Sequence, residues 1–191
     1  MERVFSKTLV IGISGVSNGG KTTLATRLAK QIPNAYHLNQ DTFFKLEKDI
    51  LIDKKTGHQR YDDLSAFHLD EMTNAIKQWL DNPSKFVKKE NPSLPYVLIF
   101  EGILIFNYRP LLTLLSFDLK YFLTLPFEEA KRRRSMRIYE PKDPDGMFDN
   151  YVWPMYLKNK LEIEEDIKLQ ELERLVLSRE LPYPQNFDEL R

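Results

Sequence analysis

Residues 9–32 read LVIGISGVSNGGKTTLATRLAKQI, a stretch that predicts a strand, a glycine-rich loop and a helix in succession. Leu9–Ile13 is a short apolar run, typical of a strand that is buried on both faces. Apolar residues recur at helical spacing from Thr22 to Ile32, and Pro33-Asn34 marks the end of that helix. Four of the chain's seven glycines lie here, at positions 12, 15, 19 and 20, which indicates a backbone that approaches another group closely.

The loop matches the pattern G-x-x-x-x-G-K-[ST] through Gly15, Gly20, Lys21 and Thr22. Glycines let backbone N–H groups approach phosphate oxygens, and the start of the helix adds a partial positive charge. Lys21 can reach the β and γ oxygens of a triphosphate, and the Thr22 hydroxyl can ligate magnesium. A glycine-rich turn without a ligand is the weaker alternative, because the motif lies between a buried strand and an amphipathic helix. The loop therefore predicts a nucleoside triphosphate site.

The rest of the chain narrows the class of nucleotide-binding protein. We find neither the switch segments nor the N-K-x-D motif of a GTPase, and a motor protein would normally need a chain longer than 191 residues. A small-molecule kinase is therefore favoured. Lys plus Arg and Asp plus Glu number 28 each, so the chain has no net positive charge that would attract nucleic acid or anionic lipid. The chain has no cysteine, which excludes disulfides and thiolate sites and is compatible with the cytoplasm. No apolar window approaches the roughly 18 residues of a membrane span.

Strands and helices alternate along the chain, which predicts an α/β fold with a mostly parallel sheet covered on both faces. We expect one domain over residues 1–191, and the final NFDELR resembles the start of a further helix, as a truncated C-terminus would. The predicted strands after the first are Tyr36–Leu38, Tyr96–Phe100, Tyr121–Leu125 and Leu175–Leu177, and the predicted later helices are Leu64–Leu80, Phe127–Tyr139 and Pro154–Glu173.

Two acidic residues follow predicted strands, where ligands of a parallel sheet gather. Asp41 is the best candidate for the catalytic base, because phosphoryl transfer to a hydroxyl needs an acceptor for its proton. A turn or helix cap is the alternative role for this residue. Glu101 ends a hydrophobic strand and is a candidate to hold magnesium directly or through water, with a cap again as the alternative.

The segment KRRRSMR at residues 131–137 places five positive charges in seven residues. At helical spacing Lys131 shares one side with Arg134, and Arg133 shares another with Arg137. A solvated helix face or a nucleic-acid patch is the ordinary interpretation of such a run. Because it precedes the irregular EPKDPDG in a chain with a triphosphate loop, we expect a lid that closes over transferring phosphate.

Several longer blocks together resemble the nicotinamide riboside kinases, in the uridine-kinase-like branch of P-loop kinases. The blocks are GISGVSNGGKTT, NQDTFFK, QRYD, IFEGILIFNYRPL, YFLTLPFEEAKRRRSMRIYEPKDPDGMFD and YVWPMYLK, between about Leu9 and Lys158. The resemblance implies a three-layer P-loop kinase fold with a five-stranded parallel sheet and a lid at about residues 132–150. It also implies magnesium- and ATP-dependent phosphorylation of the 5′-hydroxyl of nicotinamide riboside, which gives nicotinamide mononucleotide for NAD biosynthesis.

The resemblance implies a role for individual residues where the blocks match. Asp41 would be the catalytic base, assisted by Lys21, and Asp62 and Arg134 would bind the ribose hydroxyls. Tyr61 and Tyr139 would flank the pyridine ring, whose fixed positive charge is attracted to aromatic faces. ATP would contact Gly15, Ser17, Asn18, Gly19, Gly20, Lys21, Thr22, Thr23, Arg133 and Arg137; the nucleoside would contact Asp41, Phe44, Tyr61, Asp62, Arg134 and Tyr139; and magnesium would contact Thr22, Asp41 and Glu101.

The chain departs from the family pattern at two places. The usual QDDFFKP reads QDTFFKL here, so Thr42 replaces a second acid; we expect the chemistry to survive and a secondary metal or substrate contact to be affected. Beyond about Lys160 the likeness fades, and we assign no adenine contact.

Two other functions compete with the leading one. They are a uridine or cytidine kinase of the same branch and a non-catalytic ATP-binding protein. We expect a monomer or weak homo-oligomer that binds neither nucleic acid nor membrane. The sequence leaves open the use of nicotinic acid riboside as a second substrate and of GTP in place of ATP.

Overall fold

A parallel sheet of four strands forms the centre of the protein in the computed structural model, which describes residues 8–88, 90–139 and 142–166. The strands are β1 (Thr8–Gly15), β2 (Ala35–Asn39), β3 (Tyr96–Glu101) and β4 (Leu119–Leu123), in the spatial order β2-β3-β1-β4. All three pairings are parallel, which confirms the predicted α/β arrangement. The expected fifth strand, Leu175–Leu177, lies outside the described residues.

In the described part of the chain, five α-helices connect and cover these strands. They are α1 (Lys21–Gln31), α2 (Leu69–Asp81), α3 (Arg109–Leu114), α4 (Phe127–Ser135) and α5 (Trp153–Asp166). Short 3-10 turns occupy Gln40–Phe43, Glu47–Asp49, Leu64–Ala66 and Pro83–Phe86, and a π-helical turn occupies Phe148–Val152. Among the residues described, no helix has the length and apolar character that a bilayer span requires.

Both faces of the sheet are buried, as the unbroken apolar strands predict. Every residue of β3 is buried. On one face α2 contributes Met72, Ile76 and Trp79, all fully buried, to the main core. On the other face Ala25 of α1 packs with alternate residues of β1 and β3 in a second cluster. Since each large apolar side chain contributes about 1.5–3 kcal/mol when fully buried, these two clusters fix the strand ends that carry the site.

Two predicted elements have other boundaries than expected for local reasons, and one short helix was not predicted. The helix expected at Leu64–Leu80 begins only at Leu69, because Asp63 caps a separate 3-10 turn and Phe67 is extended and stacks on Phe44. Strand β4 begins and ends two residues earlier than predicted, since its last residue pairs with the end of β1. The short helix α3, with a proline in its first turn, was not predicted.

The helix expected at Phe127–Tyr139 also ends early, at Ser135. Arg137 N–H donates to the carbonyl of Arg134 at 3.1 Å, and the chain then turns back toward the glycine-rich loop. Arg133 and Arg137 therefore do not share a helix face as the spacing predicted. Residues 142–144 have no regular structure, in agreement with the prolines around them.

The close approach at Gly15 generates a testable prediction about stability. Gly15 has φ +128°, and a Cβ there would lie 2.1 Å from the carbonyl oxygen of Leu123. Gly57 has φ +76° with open space around it. We expect Gly15→Ala to lower the free energy of unfolding by about 2 to 5 kcal/mol, and Gly57→Ala by about 1 to 2 kcal/mol, because only the first adds a clash to backbone strain. Urea unfolding midpoints test this difference, and equal losses would contradict it.

Candidate active site

The loop between β1 and α1 has the backbone of a phosphate cradle. Gly15 and Gly20 adopt positive φ, and so does Asn18 at 60°. Gly20 is the N-cap of α1, and no side chain caps this helix. The first N–H groups of a helix lack partners within the helix, and here no capping side chain competes with an anion for them. The residues present therefore fit a bound triphosphate.

Lys21 is held at the base of this loop. Its side chain is only 7% exposed, and Nζ donates to the carbonyl oxygens of Gly15 at 3.1 Å and Val16 at 2.8 Å. Burial lowers the pKa of Lys21, whereas the nearby carboxylates of Glu101 and Asp41 act in the opposite direction. The ammonium group borders a pocket of about 120 Å³ that the loop, both carboxylates and Arg137 line.

Oxygen ligands suited to magnesium lie at one side of this pocket. Thr22 Oγ1 donates to Glu101 Oε1 at 2.9 Å, and Glu101 is 2% exposed. His37 Nε2 lies 3.6 Å from the same carboxylate oxygen, and Asp41 lines the same pocket. Mg²⁺ in phosphotransferases is typically held by one or two carboxylates together with phosphate oxygens and water. The described residues contain no cluster of three or more acidic or histidine ligands, and the donor set fits a magnesium ion shared with a nucleotide.

Asp41 lies in the 3-10 turn directly after β2. The cap of this turn is Asn39, whose Oδ1 accepts from Asp41 N at 2.8 Å, so Asp41 is not the capping residue. Thr42 Oγ1 donates to the carbonyl of Asn39 at 2.8 Å and has a structural role there. The Asp41 side chain reaches an open cleft, yet the surrounding protein displaces enough water to raise its pKa, an effect that Lys21 opposes.

A buried glutamine ties this turn to the segment after β3. Gln40 is fully buried, and its Oε1 accepts from Leu104 N at 2.9 Å. A Cβ on Gly102 would lie 2.3 Å from the Gln40 side chain, so glycine is needed for the two segments to meet. This contact fixes Asp41 relative to Glu101.

A larger cleft of about 510 Å³ adjoins the phosphate pocket. The two share Ser17, Asp41, Ile103 and Arg137 in their linings. All six residues predicted to contact the nucleoside line this cleft, namely Asp41, Phe44, Tyr61, Asp62, Arg134 and Tyr139. The structure thus brings the predicted acceptor residues to the open side of the predicted phosphate site.

Asp62 is the buried carboxyl group of this cleft. It is 7% exposed, and its backbone carbonyl accepts from Asn159 Nδ2 of α5 at 3.0 Å. Burial raises the pKa of Asp62 to about 6, although Arg134 and Lys21 act against that rise. A carboxyl group in this state can donate or accept a hydrogen bond near neutral pH.

The arginines of the basic run have different surroundings. Arg134 binds Asp143 through two hydrogen bonds of 2.6 and 3.0 Å and donates to Ser17 Oγ at 3.1 Å. The guanidinium groups of Arg134 and Arg137 lie 4.6 and 5.0 Å from the ring centroid of Tyr139. Arg133 binds Glu129 at 2.7 Å and is absent from the described linings of both cavities, so its ATP contact stays a prediction.

Known proteins are similar to this chain over most of its length. The family described as "AAA domain" matches residues 11–154, so the chain belongs to it. Nicotinamide riboside kinase 1 of Rattus norvegicus is 50% identical over 160 residues, which cover 82% of this chain and 80% of the relative. The chain belongs to the nicotinamide riboside kinase family. Nicotinamide riboside kinase 1 of Homo sapiens is 48% identical, with 83% and 80% covered, and nicotinamide riboside kinase 2 of Mus musculus is 43% identical, with 83% of each covered.

A solved structure outside the riboside kinase family has the same fold. Thymidylate kinase from Candida albicans superposes with a TM-score of 0.52 at 15% identity, covering 88% of this chain and 83% of that one. At that identity the likeness shows the fold alone. The family and the P-loop kinase fold predicted from the sequence blocks are therefore confirmed.

Several residues of the candidate active site were not predicted from the sequence. Asn39 and Gln40 orient Asp41, and Asp143 binds Arg134. Glu47 and Gln59 line the cleft and hydrogen-bond to each other at 3.2 Å. The first pair could have been noticed as polar residues directly after a strand. The other three lie in a short 3-10 turn or in irregular segments, which have no periodic signal.

The raised pKa of Asp62 predicts a pH dependence of stability. Between about pH 3.8 and 6, the Asp62 carboxyl is protonated more fully in the folded protein than in the unfolded chain. The contribution of Asp62 to the free energy of unfolding therefore decreases as pH rises through that window. Relative to Asp62→Asn, the wild type should lose about 2 kcal/mol between pH 4.5 and 7. Urea unfolding at both pH values measures this difference.

Asp63→Asn provides the matched control for that experiment. Partial burial acts to raise the pKa of Asp63, but hydrogen bonds from Ser65 and Arg60 lower it overall. Its contribution is therefore present above pH 3.8 and is lost only below that value. The difference between wild type and Asp63→Asn should change by less than about 0.3 kcal/mol from pH 4.5 to 7. The same flat result for Asp62→Asn would show that burial does not raise the Asp62 pKa.

Proposed function

We propose that the protein transfers the γ-phosphoryl group of ATP to the 5′-hydroxyl of nicotinamide riboside and so produces nicotinamide mononucleotide. The observation that carries this proposal is the position of Asp41, which lines both the phosphate pocket and the larger cleft. A base at this junction lies between a terminal phosphoryl group and an acceptor alcohol. The identity of 43–50% to nicotinamide riboside kinases supports the same reaction.

Asp41 accepts the proton of the attacking hydroxyl in this proposal. Desolvation by the surrounding protein raises the pKa of the Asp41 carboxyl, which strengthens it as a proton acceptor, and the nearby Lys21 opposes that rise. The hydrogen bond from its backbone N–H to Asn39 and the buried Gln40 hold the turn in place. The proton moves from the substrate oxygen to a carboxylate oxygen of Asp41 as the new oxygen–phosphorus bond forms. The bond between the γ-phosphorus and the oxygen that bridges it to the β-phosphorus breaks, and ADP leaves with that oxygen.

The loop residues bind and orient the phosphates. Backbone N–H groups at the start of α1 and the ammonium group of Lys21 stabilise negative charge on the transferred group. Thr22, Glu101 and Asp41 would hold magnesium, which, when bound with ATP, neutralises charge on the phosphate oxygens. Thr22 already donates to Glu101, which supports the assignment of these two residues to one metal site.

The larger cleft suits a cationic nucleoside. Asp62 and Arg134 would bind the ribose hydroxyls, and Tyr61 and Tyr139 would flank the pyridine ring. The Tyr139 ring already faces two guanidinium groups, which supports its use as a surface for a cation. Phe44 packs edge-to-face on Tyr61 at 6.0 Å and supports the opposite wall.

A nucleoside panel tests the substrate. We expect a coupled assay of ADP production to show turnover with nicotinamide riboside that exceeds turnover with uridine and cytidine by at least about tenfold, because only the pyridinium ring carries a positive charge. Nicotinic acid riboside completes the panel and reports whether a carboxylate on the ring is tolerated. Efficient turnover of uridine without turnover of nicotinamide riboside would instead identify a pyrimidine nucleoside kinase. This alternative is included because the chain is 29% identical to uridine kinase of Leuconostoc citreum.

Asp41→Asn tests the base. We expect kcat to fall by about 10² to 10⁴, with the Kd for ATP changed by less than about tenfold, because the amide keeps the shape but accepts no proton. Stopped assays and calorimetric ATP titration provide the two measurements. The adjacent Thr42→Ala is the control and should stay within about threefold of wild type in kcat, since its hydroxyl only contacts Asn39. If the wild-type protein binds ATP but turns over no nucleoside, the proposed catalytic function is excluded.

A further inference from the structure

The side chain of Asn18 joins the phosphate loop to the segment after α4. Its Oδ1 accepts from Tyr139 OH at 3.0 Å and from Arg137 Nη1 at 3.3 Å. These donors are more than a hundred residues away along the chain, and Asn18 lies at the centre of the phosphate loop. One amide oxygen therefore connects the predicted phosphate site to the tyrosine that lines the nucleoside cleft.

The orientation of the Asn18 amide follows from the chemistry of its partners. Arg137 has only donors, so the atom that faces it must be the oxygen. The Nδ2 atom then points the other way, where it is buried and has no hydrogen-bond partner in the described part of the chain. Asn18 itself lines the phosphate pocket, so the residue that binds Tyr139 and Arg137 also borders the predicted phosphate site.

The backbone at Asn18 explains why this residue type can make the connection. Its φ of 60° lies in the left-handed region, which asparagine tolerates better than most residues with a side chain. The side chain is short, so the amide stays between the loop and the segment. Glycine would keep this backbone conformation while removing the amide, which makes Asn18→Gly a clean substitution.

We infer that Asn18 is a positioning residue that couples nucleotide binding to nucleoside binding by holding Tyr139 and Arg137 against the phosphate loop. A nucleotide that orders the loop thereby fixes the Tyr139 ring at the wall of the nucleoside cleft. This inference rests on the proposed function for its ligands, whereas the contact itself belongs to the protein alone. The chemistry requires only an anionic phosphate at the loop and an aromatic cation on the Tyr139 side.

Limited trypsin digestion tests the contact without any ligand. Met136 and Ile138 beside Arg137 are 63% and 94% exposed, so the bond after Arg137 is accessible to a protease once the segment is released. We expect Asn18→Gly to increase the rate of cleavage there at least about fivefold, as followed by mass spectrometry. Asn34→Gly is the control, because Asn34 has a similar φ of 55° but hydrogen-bonds to Asn91 and Leu94 elsewhere. Equal acceleration in both variants, or none in Asn18→Gly, would overturn the contact.

Binding measurements test the coupling. Calorimetry should show that a non-hydrolysable magnesium–ATP analogue tightens nicotinamide riboside binding to the wild type about fivefold or more, and less than about twofold in Asn18→Gly. Asn34→Gly should retain the wild-type coupling. If the wild type binds no nicotinamide riboside, the proposed function fails while the digestion result still stands. Wild-type coupling in Asn18→Gly would overturn the inference.

A double-mutant cycle identifies the route of the coupling. Tyr139→Phe keeps the ring and removes the hydroxyl that donates to Asn18. If the two residues act through this hydrogen bond, the nucleoside KM of the Asn18→Gly/Tyr139→Phe double variant should rise no further than in the Asn18→Gly variant, with kcat affected less than KM. Additive increases in KM would show that Asn18 acts independently of Tyr139 and would overturn the inference.

Discussion

The contact between the end of β1 and the end of β4 is the constraint on which the site depends. Val16 N–H donates to the carbonyl of Leu123 at 3.0 Å, and Gly15 lies so close to the same carbonyl that no side chain fits. The chain must therefore leave the sheet as a tight loop that exposes its backbone N–H groups. Lys21 then closes the loop from within by donating to two of its carbonyls. The phosphate cradle is thus a consequence of strand packing.

The positions of the proposed base Asp41 and the proposed magnesium ligand Glu101 depend on a second contact, between neighbouring strand ends. Asn39 at the end of β2 pairs in register with Glu101 at the end of β3. Gln40, which is buried against Gly102 and bonded to Leu104, then directs the next residue toward the phosphate pocket. Parallel register places Asp41 and Glu101 on the same edge of the sheet, as the general geometry of open α/β sheets requires. Neither carboxylate needs a long loop to reach the site.

Much of this arrangement could be predicted from the sequence, and the remainder depends on contacts between distant residues. The loop, the two carboxylates and the cleft residues Tyr61, Asp62 and Tyr139 follow strands or fall in specific blocks, so their positions were predictable. The early end of α4 was not, because it depends on a return to Asn18 that no local periodicity encodes. The pairing of Arg134 with Asp143 was not predictable for the same reason, because it joins α4 to an irregular segment further along the chain.

At the proposed site, a bound substrate would replace hydrogen bonds that the charged side chains already make within the protein. Lys21 donates to loop carbonyls, and Arg134 binds Asp143 and Ser17. Each charged group is therefore partly satisfied before a ligand arrives, which limits the desolvation cost of an empty polar cleft. To bind Lys21, a phosphate must form stronger hydrogen bonds with the ammonium group than the two neutral carbonyls do. A negatively charged oxygen meets that condition, because charge-assisted hydrogen bonds are roughly twice as strong as neutral ones. Neutral ligands gain little at this position, so the buried lysine itself selects for the anion.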